Sequence, residues 1–172
     1  MHGNRYELGD RNLNSQRNYE FDISLHYHAE KVLMEVAAFY NHIDQYIHLT
    51  PTVDTTDEGQ IIFKYIQANS NLYGFETMVD FHPVPFIAFI VNYSYLLGKQ
   101  DNGEYLPFIP QSKLNTAVRL NLPENLFTDA YFKLAANYAF SQDNPSLYET
   151  KTEDYIIFNV GFGGDIVLAK QI

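Results

Sequence analysis

From Tyr19 onward the chain alternates with a period of two, and a helix cannot satisfy that pattern. Tyr19, Phe21, Ile23, Leu25 and Tyr27 share one parity, while Glu20, Asp22, Ser24, His26 and His28 share the other. Successive side chains on a strand point to opposite faces, so this segment is a strand with one apolar and one polar face. The same alternation recurs at Leu114–Leu122, at Ala130–Phe140 and at Ile156–Phe162. Residues 86–98 are apolar on both parities until Asn92 and Ser94, and 61–81 alternate clearly only after Gly74. Residues 30–48 admit two readings. Leu33, Val36, Ala37, Tyr40, Ile43 and Ile47 fit a helical stripe, whereas Val32, Met34, Val36, Ala38 and Tyr40 opposite Glu35 and Asn41 fit a strand. The aromatic and β-branched residues at 39–47, and the strands on either side, favour strand.

Connections between these segments alternate between short and long. The short ones are Ala29-Glu30-Lys31, His82 to Pro85 and Pro123 to Phe127; the long polar ones are 50–60, 99–112 and 143–152. An up-and-down meander puts every second connection on the same rim. One rim therefore carries tight turns and the other excursions, the asymmetry of outer-membrane barrels. The expected fold class is all-β: an antiparallel up-and-down meander of about seven to eight strands, forming a segment of a large transmembrane β-barrel. The alternative is a soluble sandwich or small closed barrel with the apolar parity as a dry core. Segments 32–49 and 61–81 exceed the ~9–11 residues needed to cross a bilayer, as strands projecting beyond it would.

Composition narrows the function classes. Lys and Arg total 11 against 21 Asp and Glu among 172 residues, a net charge of −10, so a phosphate-backbone partner is excluded. Absent cysteine removes disulfides, thiolate metal sites and Cys nucleophiles. Mean hydropathy of −0.26 excludes a helical membrane protein. Tyr (14) and Phe (13) are abundant, and apolar rows tend to end in them: Tyr19 and Tyr27 bracket the first, Tyr138 and Phe140 close another. Such rows match an apolar band with aromatic girdles. The polar amino end, Met1-His-Gly-Asn-Arg-Tyr-Glu, lacks the apolar core of a signal peptide, as expected of a cytosolic chain or a piece of a longer precursor.

Specific residues carry a family resemblance. In order they are Tyr6-Glu-Leu-Gly-Asp, Asn18-Tyr-Glu-Phe-Asp-Ile, Phe39-Tyr-Asn-x-Ile43-x-x-Tyr46-Ile47 and Tyr65-Ile-Gln-Ala-Asn-Ser-Asn-Leu-Tyr-Gly74-Phe-Glu76. Leu106-Pro107-x-Ile109-Pro110 and Glu149-Thr-Lys-Thr152 ahead of Tyr155 follow. This ordered set, over roughly 6–163, resembles the barrel of TonB-dependent outer-membrane receptors, and is most similar to the ferric or zinc-uptake type. Gln111 stands where a second Pro is usual, and Gln16 where an acid is. The resemblance implies a slice of a barrel of about 22 strands, with the plug domain, TonB box and last strands absent from 1–172 and a further strand beginning at Ile166-Val-Leu-Ala. It implies a role in importing a scarce ligand such as an iron–siderophore, haem, cobalamin or zinc with energy from the TonB complex. The implied partners are outer-membrane lipid, the TonB complex through the plug region, and the transported metal complex. The implied location is the outer membrane of a Gram-negative bacterium.

Catalysis has no support in the residues. Gly-x-Ser-x-Gly and His-Glu-x-x-His do not occur, and Gly161-Phe-Gly-Gly-Asp165 reads as a tight turn rather than a nucleotide loop. The expectation is therefore not an enzyme, with no cofactor. Candidate ligand-facing residues are Glu20, Asp22, His26 and His28 on the polar parity of the first long strand. His26 and His28, two apart on one face, are the candidate metal ligands, since imidazole and carboxylate suit Zn²⁺ or iron. His42, Asp44 and His48 also share a parity on the next segment.

Overall fold

The computed structural model describes residues 6–123 and 128–165. Seven strands follow one another as an antiparallel meander: β2 (Arg17–Ala29), β3 (Val32–Thr55), β4 (Ile61–Val84), β5 (Ile87–Gln100), β6 (Lys113–Asn121), β7 (Thr128–Ala139) and β8 (Tyr155–Asp165). A short β1 (Tyr6–Leu8) pairs parallel to β4 at Ile62–Lys64. Each meander strand hydrogen-bonds its sequence neighbour, and β2 and β8 are not paired with each other among the described residues. The small closed barrel is therefore not formed. Neither is a sandwich, because the described strands belong to one sheet and the apolar parity lies open rather than against a second layer. Within 30–48, residues 32–48 are strand and none is helix: Ala29 to Asn18 pair with Val32 to Ile43 in unbroken register.

Register assigns the faces. Opposed residues share a face, and the pairings chain Phe21 to Tyr40 to Tyr73 to Leu97, and Phe89 to Val118 to Leu134 to Val160. All of these fall on one apolar face. Phe21 is 66% exposed, Ile23 62% and Phe162 87%. Aliphatic residues such as Ile23, Val36, Val79, Val91, Val118 and Val160 hold the middle of this face. Toward the long-loop rim it carries aromatic clusters: Phe75 lies 5.5 Å from Tyr93 and 5.8 Å from Tyr95, and Phe140 lies 4.6 Å from Tyr138 and 5.9 Å from Tyr93. Toward the turn rim Phe81 stacks near Phe89 at 6.4 Å.

Two turns are tighter than the sequence suggests. Glu30-Lys31 joins β2 to β3, and Pro85-Phe86 joins β4 to β5, because β4 continues through His82 and Pro83. The connection at 123–127 and the strand expected at Ile166-Val-Leu-Ala lie outside the described residues, Pro123 excepted. On the opposite rim β3 and β4 run for 24 residues each, beyond the 32–49 and 61–81 read from the sequence. At ~3.3 Å per residue and a tilt near 40° they reach roughly 60 Å, far past a ~25 Å apolar band.

Two sequence expectations are corrected. Gly161–Asp165 is not a turn; it completes β8, with Gly163 opposite Tyr131 and Asp165 opposite Thr128. The glycines serve close approach, since a Cβ on Gly163 would sit 2.8 Å from the Tyr131 ring and one on Gly164 2.9 Å from the Ala130 Cα. Of His42, Asp44 and His48, the first two share a face, with His42 Nε2 3.3 Å from Asp44 Oδ1, and His48 does not join them. A bulge shifts the β3–β4 register between Ile43 and Tyr46, with Gln45 at φ 60°, and the extra residue swaps the faces beyond it. His42 stays on the apolar face with Asn71, and His48 moves to the polar one opposite Ile66.

Candidate functional site

The polar face is built strand by strand. On β2 the predicted residues Glu20, Asp22, His26 and His28 all project there, opposite Asn41, Phe39, Glu35 and Leu33 of β3. His26 Nδ1 lies 3.4 Å from Glu35 Oε1, an exposed contact of little energetic weight. His28 faces Leu33, and Glu20 and Asp22 lie further along the strand with no ion pair among the described residues. The described residues contain no group of three or more His, Asp or Glu arranged to hold a metal ion. The structure thus brings together His26 and Glu35 but not the four candidates as one cluster.

Register reveals a feature that residue-by-residue reading missed. Glu35, Glu76, Met78, Asn92, Ser94 and Asn115 surround a depression on the polar face across β3 to β6. Its floor is low because Ala37 and Ser94 are small. The pairings run His26 to Glu35 to Met78 to Asn92 to Asn115 to Asn137, a belt of polar groups across six strands broken by one thioether. Two carboxylates accept hydrogen bonds or cationic charge, and the Asn amides offer donors and acceptors. Parity alone placed each residue on this face; only register places them side by side.

The long loops fold onto the extended end of β3 and β4. Leu106 is fully buried (0% exposed), donates its N–H to the Gly98 carbonyl at 3.0 Å and packs with Ile109 where a Cβ on Gly98 would sit 3.0 and 2.8 Å from them. Glu149 latches both loops: Oε1 accepts from the Phe108 N–H at 2.9 Å, and Oε2 from the Ser146 N–H at 3.1 Å and hydroxyl at 2.8 Å. Gln142 donates to the Ile109 carbonyl at 2.7 Å, and Gln111 to the Glu153 carbonyl at 2.9 Å. Gln111 thereby adds a tie between the loops that a proline could not make. At the loop edge, the Ser141 hydroxyl and Lys151 hold the Asp143 carboxyl below its ordinary value.

His48 sits beneath this cap, 6% exposed, stacked 6.0 Å from Tyr46. Thr50, Ile66, Glu104, Tyr105 and Tyr148 close the small cavity around it. Burial pushes the imidazole below its ordinary 6.5, partly opposed by the Tyr46 carbonyl and Glu104. The Gln100 side-chain amide lies 3.4 Å from Nε2, a contact that suits an unprotonated acceptor nitrogen. A folded value below the unfolded one means that the unfolded loops bind more protons. The stabilisation is therefore complete above the ordinary histidine value and is lost as pH falls through it. Acidification from about pH 7.5 to about pH 5 is expected to lower the hydrogen-exchange protection of peptides spanning 140–154 several-fold, once the slower intrinsic exchange at the lower pH is divided out. His48→Gln should flatten that response, and an equal loss of protection in both proteins would refute the assignment.

A family described as TonB dependent receptor-like, beta-barrel matches residues 2–167. The fold is also that of solved structures. The copper transporter OprC superposes with a TM-score of 0.78 at 11% identity, over 87% of this chain and 23% of that one. The ferric enterobactin receptor PfeA from Pseudomonas aeruginosa gives 0.64 at 17% identity, over 92% and 24%. The FrpB iron transporter from Neisseria meningitidis gives 0.64 at 8% identity, over 95% and 26%. At these identities the likeness is one of fold, and this chain spans about a quarter of each protein's length. The match over 2–167, the meander and the division into an open apolar face and a polar face agree: the chain belongs to the TonB dependent receptor-like beta-barrel family, whose members are outer-membrane transport receptors and not enzymes.

Proposed function

We propose that this chain forms part of the barrel wall of an outer-membrane receptor in a Gram-negative cell, importing a scarce metal-bearing ligand with energy supplied through TonB. The observation that carries this reading is the segregation of faces across seven strands. A broad, open apolar face bounded by aromatic clusters suits lipid, and in hydrocarbon only a sheet closed on itself satisfies every backbone group. The edges that β2 and β8 leave unpaired with each other among the described residues, and the fourfold greater length of the related structures, support a larger closed barrel, of which these strands are one arc. The polar face is then the wet inner wall. Glu20, Asp22, His26 and His28, with the Glu35–Glu76 depression, line the path of the ligand, and His26 and His28 contact a transported metal in passing rather than hold a resident one. The names of the related structures, for copper, ferric enterobactin and iron, favour metal cargo. The plug domain and the TonB complex are the partners this reading requires.

The test is uptake in cells. Deleting the gene for the full-length receptor should abolish growth stimulation by at least one of haem, ferric enterobactin, cupric salt or zinc salt under metal limitation, and complementation should restore it. His26→Ala/His28→Ala is expected to weaken that uptake several-fold. Indifference of the deletion strain to all four probes would overturn the import reading, and full uptake by the double variant would remove the histidines from it.

A further inference from the structure

Toward the long-loop rim the open face turns from apolar to charged without changing sides. The row Phe21, Tyr40, Tyr73, Leu97 is followed on the same face by Tyr19, His42, Asn71, Lys99. One step further on, Arg17 stands opposite Asp44. Charges are costly against hydrocarbon, so the depth at which they replace aromatic rings is the depth of the lipid headgroups.

Hydrogen bonds order this patch. The Asn71 amide donates to Asp101 Oδ1 at 3.0 Å, and its oxygen accepts from the Tyr40 hydroxyl at 2.7 Å and from His42 Nδ1 at 2.8 Å. His42 Nε2 lies 3.3 Å from Asp44 Oδ1, so that carboxylate is turned to the imidazole. Arg17, exposed and directly opposite Asp44, makes no ion pair among the described residues, and neither does Lys99. The Lys99 ammonium lies 4.7 Å from the centroid of the Tyr105 ring. The two cations stand on β2 and β5, three strand spacings of ~4.8 Å apart, or about 14 Å.

Beside Arg17 the same face carries a polar hollow lined by Asn14, Ser15, Arg17, Asp44, Gln45 and Asn69. The bulge shapes it: Gln45, at φ 60°, donates its backbone N–H to Asn69 Oδ1 at 3.0 Å. Gln67 straps the preceding segment across the sheet. It accepts from the Asn14 N–H at 2.8 Å and donates to the Asn14 and Gln45 carbonyls at 2.9 and 3.0 Å. Amides, a hydroxyl and a carboxylate offer donors and acceptors side by side. The carboxylate would repel a bare phosphate, yet it accepts from a hydroxyl, so the lining suits a sugar.

We propose that this patch binds the headgroup of a phosphorylated glycolipid in the surrounding leaflet, with phosphate on Arg17 and Lys99 and sugar hydroxyls in the hollow. Continuity with the apolar rows selects a lipid, whose acyl chains would run down past Phe21 and Tyr40. The guanidinium and ammonium select phosphate, and the hollow selects a sugar over a simple phosphodiester headgroup. The proposal rests on the apolar face meeting lipid.

The test is lipid retention by purified full-length receptor, read by native mass spectrometry after incubation with equal amounts of phosphatidylglycerol and lipid A, a bis-phosphorylated disaccharide glycolipid. Lipid A should be retained several-fold over phosphatidylglycerol. Arg17→Gln/Lys99→Gln should abolish that preference, and Ser15→Leu, which fills the hollow without removing a charge, should reduce it several-fold. Lys113→Gln, on the polar face, should leave it unchanged. Equal retention of the two lipids, or an intact preference in Arg17→Gln/Lys99→Gln, would overturn the site. A loss in Lys113→Gln as large as in that double variant would assign the effect to overall charge and would overturn it too. A fluorophore on Ile23→Cys, in vesicles of phosphatidylcholine with brominated acyl chains, separates the site from the reading beneath it. Quenching without a lipid A preference removes the site and leaves the lipid-facing assignment standing. An unquenched fluorophore removes both.

Discussion

Replacing Ile23 by arginine is expected to cost the assembled barrel about 2–4 kcal/mol, whereas the same change one residue later, Ser24→Arg, should cost almost nothing. The two positions are adjacent in sequence and differ only in face. Ile23 is the midpoint of the row Tyr19, Phe21, Ile23, Leu25, Tyr27 and pairs with Ala38, which offers no polar group to a neighbouring charge. An arginine at the bilayer midplane carries a penalty of about that size, falling to about 0–1 kcal/mol near the interfaces. Tyr27→Arg, at the end of the same row, should therefore be mild. Ser24 sits opposite Ala37 on the polar face, where a charge stays hydrated. The measurement is the folded fraction of full-length receptor in bilayers, read from the heat-modifiable mobility of folded barrels on gels. A graded loss, Ile23→Arg greatest, Tyr27→Arg small and Ser24→Arg near zero, is the expected result. Equal losses at positions 23 and 24 would contradict the lipid-facing assignment.

The same two-environment argument explains what could be read from the sequence. Where one face meets hydrocarbon and the other water, selection by solvent writes parity directly into the chain, so β2, β6, β7 and most of β8 are legible as strings. Past the aromatic rim the alternation fades, and the polar Thr-Pro-Thr-Val-Asp run reads as loop although it lies within β3, with Thr50 and Pro51 opposite Lys64 and Phe63 of β4. The bulge at Gln45 is illegible for a different reason. Parity counting assumes one residue per step, and an inserted residue leaves no mark in composition while moving His48 to the opposite face from His42. Gly161–Asp165 misleads because glycine signals both turns and close packing. The aromatic ring that needs Gly163 sits more than thirty residues earlier, at Tyr131. The inner depression is long-range in the same sense: Glu35, Glu76, Asn92 and Asn115 come from four strands, and their adjacency exists only in the register. Glu149 could be singled out within a family-like motif, yet its role as a latch between Phe108 and Ser146 depends on two loops meeting.

Gly74 is the position where register and packing meet most tightly, and Gly74→Ala is expected to impair the barrel by about 1–3 kcal/mol, the usual range for forcing extra atoms into a packed site. The added Cβ would collide with the Tyr95 carbonyl oxygen and lie 3.0 Å from the Phe39 ring. These contacts differ in kind. The Phe39 ring projects from β3 directly opposite Gly74 and can rotate or be truncated. The Tyr95 carbonyl belongs to the ladder joining β4 to β5, where Gly74 pairs with Leu96 and Phe75 with Tyr95. To relieve that contact the two strands must separate locally, straining ladder hydrogen bonds that in a membrane have no water to replace them. Phe39→Leu should therefore fail to rescue Gly74→Ala, although the single variant Phe39→Leu removes the ring and should be tolerated better than Gly74→Ala. Urea unfolding of the full-length receptor from bilayers, scored by the gel mobility of the folded form, supplies the three midpoints. Rescue by Phe39→Leu would mean that the ring, not the neighbouring backbone, dictates glycine at this position. If the double variant remains as unstable as Gly74→Ala alone, the close approach of β5 is the cause, and the strand pairing that shapes this part of the wall depends on a missing side chain.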